Sequence, residues 1–183
     1  MSKFYSTLLL LAALSQAFFA QAQSTGINYS YSSGANSWIA NSLPVVVIPA
    51  NTDNQIVNIS GAAFPGTWTG FDYAGMTFTS ATGLYISSNG FVSVLSPGAA
   101  LPANSLSTNP YGIIAPFWDD LKCGAAGNVN YKFSGSGFSE YITIEWLQML
   151  WDHNGTTWAI SFQVRIYERT HPSLPSYIDF RYN

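Results

Sequence analysis

Asp119 and Asp120 stand side by side in the run Ile113-Ile114-Ala115-Pro116-Phe117-Trp118-Asp119-Asp120-Leu121. Adjacent carboxylates after a tight aromatic stretch are candidate calcium ligands, because Ca²⁺ takes six to eight hard oxygens. No Asp-x-Asp-x-Asp spacing accompanies them, and the simpler role for either is to cap the turn by accepting nearby backbone N–H groups. Glu145 and Glu168 are the carboxylates that would have to converge in a glycosidase. Each falls on the outward side or at the end of an expected strand, where a solvated or ion-paired carboxylate is the simpler reading. Asp152-His153 has no nucleophile in a G-x-S-x-G context, and His153 and His171 are too few and too unpatterned for a zinc site. Aromatic rings are the abundant resource: 6 Trp, 11 Tyr and 12 Phe. Trp151 and Tyr111 are the candidate ligand-contacting rings, since both sit near expected turns where a ring can meet a sugar or a partner side chain. Trp146 and Trp158 fall on apolar strand faces and are expected in the core.

The elements that would position these residues are strands. Ile142, Ile144 and Trp146 alternate with Tyr141, Thr143 and Glu145. Trp158, Ile160, Phe162, Val164 and Ile166 form one apolar face, with Ala159, Ser161, Gln163, Arg165 and Tyr167 behind it. A two-residue period places one face in a core and the other in water. His153-Asn154-Gly155-Thr156 reads as the hairpin turn between them. Asn89-Gly90 between two apolar runs predicts a type I′ hairpin. Val45 to Ile48, bracketed by Pro44 and Pro49, predicts an edge strand, and Gln55 to Ile59 the next one. The glycine-rich stretch after Leu121 predicts a turn before a strand at Val129 to Phe133, and Ile178, Phe180 and Tyr182 predict a last strand. Residues 96–110 read as a long loop rich in Pro, Ala, Ser and Asn. With no helical periodicity, the class is all-β, an antiparallel β-sandwich.

The first residues predict a destination. Lys3, the apolar run from Leu8 to Leu14 and the small-x-small Ala20-Gln21-Ala22 make residues 1–22 a secretory signal peptide. Ser15 and Gln16 interrupt the run before it reaches spanning length, and no later segment is apolar enough for a transmembrane span. Residues 23–43 form an irregular polar segment and 44–183 the β-sandwich domain. The chain reads as the N-terminal part of a longer protein. Of 183 residues, 161 remain after the first 22; five basic residues then face nine acidic ones, a net charge of −4. That balance argues against nucleic acid and anionic membranes. Only 8% of residues are charged, against about 25% in ordinary globular proteins, so the surface is built from Ser, Thr, Asn, Gly and rings. The single cysteine, Cys123, permits no internal disulfide and is expected as a small buried residue.

Several segments in fixed order carry a resemblance. They are Ser87-Ser88-Asn89-Gly90-Phe91, Ile114 to Asp120, Val129-Asn130-Tyr131, Ile142 to Trp146, Phe162 to Glu168 and Ile178 to Tyr182. Together they resemble the nidogen-like extracellular domain, and more closely its relatives in secreted surface proteins of Bacteroidetes-like bacteria. The resemblance covers roughly residues 70 to 183. It implies a noncatalytic β-sandwich at the secreted or cell-surface front of a larger protein, acting in adhesion or ligand presentation toward an extracellular protein or glycan. No cofactor is expected apart from the calcium for which Asp119 and Asp120 are the candidate ligands. A carbohydrate-binding module, a glycosidase-type hydrolase and a ligand-free spacer are the competing readings. Coplanar exposed rings would favour the first and converging carboxylates the second.

Overall fold

The computed structural model of the protein describes residues 38–100, 112–151, 159–169 and 177–183, the Phe138 side chain excepted. They fall in one compact unit, Asn36–Asn183. The described strands are β1 (Val45–Ile48), β2 (Ile56–Ile59), β3 (Phe71–Tyr73), β4 (Met76–Phe78), β5 (Leu84–Ser87), β6 (Val92–Ser93), β7 (Ile113–Ile114), β8 (Lys122–Ser134), β9 (Tyr141–Leu150), β10 (Ala159–Tyr167) and β11 (Ile178–Tyr182). One sheet has the order β1-β8-β9-β10-β11 and a second β2-β5-β6-β7, while β3 and β4 form a separate hairpin. Every described pairing is antiparallel. The all-β antiparallel sandwich is therefore the fold.

The alternation in β9 and β10 does what its period predicts. Ile142, Ile144, Trp146, Phe162, Val164 and Ile166 are all buried, facing Leu84, Ile86, Val92 and Ile114 of the second sheet in one apolar cluster. Trp146 stacks on Phe162 at 5.1 Å, and its indole N–H donates to the Ser87 carbonyl at 2.8 Å. That bond links the two sheets through the core and satisfies the one polar atom of the largest buried ring. β1 lies at a sheet edge between its two prolines, as the sequence predicts.

Two local expectations differ. The Asn89-Gly90 hairpin exists, with β5 paired to β6, but only Gly90 takes a positive φ, +78°. A type I′ turn needs two such residues, and here Asn89 is fully buried by the hydrogen bonds described below. The positive pair sits instead at Ala74 (φ 52°) and Gly75 (φ 78°), closing the β3–β4 hairpin. Second, the stretch Gly124 to Gly127 is not a turn but lies inside β8. The register slips between Cys123 and Asn128, so five residue steps on β8 meet two on β9; the strand absorbs its extra residues as a bulge. The turn expected around His153, Trp158, which the sequence places on an apolar strand face, and residues 101–110 of the long loop lie outside the described residues.

Candidate functional site

The Pro116-to-Asp120 turn carries the chain from β7 in one sheet to β8 in the other. Asn89 and Gly90 hold it. The Asn89 side-chain oxygen accepts the Leu121 N–H at 2.9 Å, and its backbone carbonyl accepts the Asp119 N–H at 3.3 Å. Its amide donates to Asn54 Oδ1 at 2.9 Å and to the Ala100 carbonyl at 3.1 Å. All the polar atoms of this buried side chain are thereby satisfied, which is what burial of an amide requires. Gly90 lies so close beneath the turn that a Cβ there would fall 1.7 Å from the Phe117 carbonyl oxygen.

Held in this way, the turn projects Phe117 and Pro116 toward the β10–β11 side of the larger sheet. Phe117 packs on Phe162 at 5.7 Å and meets Trp151 edge to face at 6.2 Å and 74°. The Pro116 carbonyl accepts the Tyr182 hydroxyl at 2.7 Å. Trp151 is 57% exposed, Tyr182 56% and Phe180 44%. In register, Tyr182 stands beside Phe162 and Phe180 beside Val164, so both belong to the apolar face of the sheet. The result is an exposed rim of large rings on a rigid base. Trp151 is exposed as the sequence suggests. Its ring is tilted well away from that of Phe117, so the pair offers no flat platform. Tyr111 lies outside the described residues.

The carboxylates are arranged for structure. Asp119 Oδ1 accepts the Asp120 N–H at 2.9 Å. Among the described residues no three His, Cys, Asp or Glu gather where a metal could be held, so Asp119 and Asp120 are not joined by the further acidic ligands a calcium shell would draw on. Glu145 stands opposite Gln163 in the β9–β10 register, and Glu168 follows five residues further along. At strand rise this is roughly 16 Å, beyond the carboxylate separations of either glycosidase class. Glu168 is brought instead to Glu140, whose carbonyl accepts its N–H at 3.0 Å. Their side chains anchor the loop before β3: Glu140 accepts from the Thr67 hydroxyl at 2.7 Å, and Glu168 accepts the Thr69 N–H. Asp152, His153 and His171 lie outside the described residues.

Glu145 itself corrects an expectation. It is on the outward face but only 1% exposed. Residues 39–42 lie across it: its Oε1 accepts the Asn41 N–H (3.2 Å) and Gln163 Nε2 (2.8 Å), and its Oε2 accepts Asn130 Nδ2 (2.9 Å). Asn41 donates to Asn130 at 2.9 Å, and Gln163 also donates to the Ile39 carbonyl at 2.8 Å. Among the described residues Glu145 has no cationic partner; charge-assisted hydrogen bonds carry it. Further along this face, Tyr177 stacks on Tyr167 at 3.8 Å and Tyr167 meets Tyr141 at a 33° tilt and 4.9 Å, with Arg165 over Tyr141 at 5.3 Å. Burial, then the hydrogen bond to Tyr167, pushes the Tyr177 phenol up to about 12. Cys123 is fully buried, and desolvation pushes its thiol from 9.0 to about 11.

The sequence marks Glu145 and Glu168 as carboxylates and Phe180 and Tyr182 as strand residues, but it misses the rim the two rings form, the pairing of Glu168 with Glu140 and the clamp on Glu145. The signal for the second was the β9–β10 register, which, once fixed at Ile142 and Ile166, places Glu140 against Glu168. Compared with known families, residues 28–182 match the model described as NIDO related. No curated protein and no solved structure matches the chain.

Proposed function

This chain belongs to the NIDO-related family, and on that premise we propose that it is a noncatalytic extracellular module that binds a protein partner in adhesion or ligand presentation. The carrying observation is the ring-rich rim of Trp151, Phe117 and Tyr182, fixed on the Pro116-to-Asp120 turn. Buried aromatic anchors are the residues from which binding hot spots are made, and rings held by a packed base lose little entropy on contact. The edge-to-face geometry favours insertion of apolar partner side chains over the flat stacking a pyranose ring needs. The family match and the signal-like first 22 residues support placement outside the cell. No helix among the described residues is long and apolar enough to cross a membrane.

The test is a binding screen of the secreted chain against arrays of extracellular proteins and of glycans, repeated with Trp151→Ala. The expected result is a protein ligand whose affinity falls by about tenfold or more in the variant, with the thermal midpoint unchanged. Glycan binding that depends on Trp151 would transfer the chain to the carbohydrate-binding class. Binding indifferent to Trp151 would remove the rim from the function.

A further inference from the structure

The two edges of the five-stranded sheet are unlike. β1 is four residues long and closed off by Pro44 and Pro49, the usual protection of an edge. β11 contains no proline, and among the described residues no strand lies beyond it. Its backbone orientation follows from two bonds: Tyr167 N–H donates to the Tyr177 carbonyl and Asn183 N–H to the Ser161 carbonyl, both at 3.1 Å. In an antiparallel ladder such positions alternate. The odd-numbered residues of β11 therefore face β10, and the N–H and C=O of Ile178 and Phe180 point to the open edge.

The sequence of the strand, Ile178-Asp179-Phe180-Arg181-Tyr182, is symmetric in character about Phe180. We propose that β11 pairs antiparallel with β11 of a second copy about a twofold axis at Phe180, joining two five-stranded sheets into one. This register places Phe180 opposite Phe180 of the second copy, and Ile178 opposite Tyr182 of the second copy. These are the positions whose backbone groups point outward, so the ladder and the side-chain register agree. On the other face, Asp179 comes opposite Arg181 of the second copy, and Arg181 opposite Asp179. The charges occupy the non-hydrogen-bonded pairs, where cross-strand side chains approach most closely. Within one chain Asp179 and Arg181 already touch at 2.8 Å, their side chains 17% and 12% exposed; the pairing sets the second copy's pair against the solvent-facing part of that contact. A charged edge ordinarily repels a neighbour. Opposite signs two residues apart reverse this for one partner, an antiparallel copy in this register. The isologous geometry closes at a dimer. The pairing does not depend on the ligand proposed above.

Sedimentation of the purified chain tests it through a charge exchange. At concentrations on the order of 100 µM, enough to populate a weak contact, the wild type should sediment as a dimer. Asp179→Arg and Arg181→Asp should each weaken self-association by about tenfold or more, because like charges then meet across the axis. Mixed together, these two variants should associate, since every cross-strand pair becomes attractive. The double variant Asp179→Arg/Arg181→Asp in one chain should dimerise as the wild type does while failing to mix with it, and it carries the test should a single variant not fold. A monomeric wild type, single variants that dimerise undiminished, or a mixture that stays monomeric would each overturn the proposal.

Discussion

Gly90 and Gly75 offer a matched pair, because both hold φ at +78° and only one is crowded. Around Gly75 nothing lies within 4 Å of a built Cβ, whereas at Gly90 the Cβ would sit 1.7 Å from Phe117 O and 2.8 Å from Phe117 C. Gly75→Ala should cost only the left-handed conformation, about 1–2 kcal/mol. Gly90→Ala carries the same conformational cost and must also push the Phe117 peptide away by more than an ångström. That strains the 3.4 Å Phe117 N–H to Gly90 bond and the Asn89 hydrogen bonds beside it. With the overpacking range of about 1–3 kcal/mol added, the total is about 2–5 kcal/mol. For a domain of this size, about 2–4 °C per kcal/mol applies, so the extra loss over Gly75→Ala is about 2–12 °C. Urea unfolding followed by tryptophan emission gives both free energies, and the rim should respond only in Gly90→Ala because Phe117 moves. Equal losses in the two variants would show that the contact with Phe117 carries no energy, and the account of what fixes the turn would fail.

Other outcomes follow from the same geometry. Native Cys123 should resist a thiol reagent at pH 8 and react stoichiometrically in denaturant, since its thiol is buried and titrates at about 11; rapid native labelling would contradict this. Because that folded value lies above the unfolded one, the unfolded chain loses its proton first. Stability is then full below pH 9 and falls by about 1.4 kcal/mol per pH unit up to about pH 11. The wild type minus Cys123→Ala difference across that window should show the slope, and a flat difference would refute it. Glu145→Gln should cost about 1–3 kcal/mol, as an amide meets donors placed for a carboxylate. It should also speed proteolysis within residues 39–42, and unchanged cleavage there would deny the clamp. Ala74, at φ 52°, should be improved by Ala74→Asn, which tolerates that conformation, by up to about 1 kcal/mol in urea titration.

β9 and β10 were legible because their faces are lopsided. Ile142, Ile144 and Trp146, like Phe162, Val164 and Ile166, leave one orientation with a core. What lies over the other face was not legible. Alternation marks Glu145 and Gln163 as pointing away from the core, yet it carries no information about a distant segment such as 39–42 that comes to rest on them. The Asn89-Gly90 signal located a hairpin correctly and its turn type wrongly, because Asn89's contacts with Asn54, Ala100 and Leu121 are all tertiary. Trp151 was a candidate for exposure from its place near a turn, with core or rim packing an equal alternative, and it is both half exposed and packed on Phe117. The aromatic rim around it was not legible, since Tyr182 reaches the Pro116–Phe117 turn only after β7, β10 and β11 have been placed.

The position of β1 bears on how the domain is made. Val45 and Val46 pair with Tyr131 and Asn130, residues translated more than eighty positions later. Synthesis delivers the chain from its N-terminus at about 5–20 residues per second, so β1 waits for seconds with its ladder unmet. The hairpin of β9 and β10 needs no such delay. Long-separation pairing of this kind slows folding, and assembly of the sheet should begin at β9 and β10, proceed to β8 and finish with β1. The two prolines that flank β1 then have a second use: they guard a waiting strand against recruiting a neighbour before the sheet is complete.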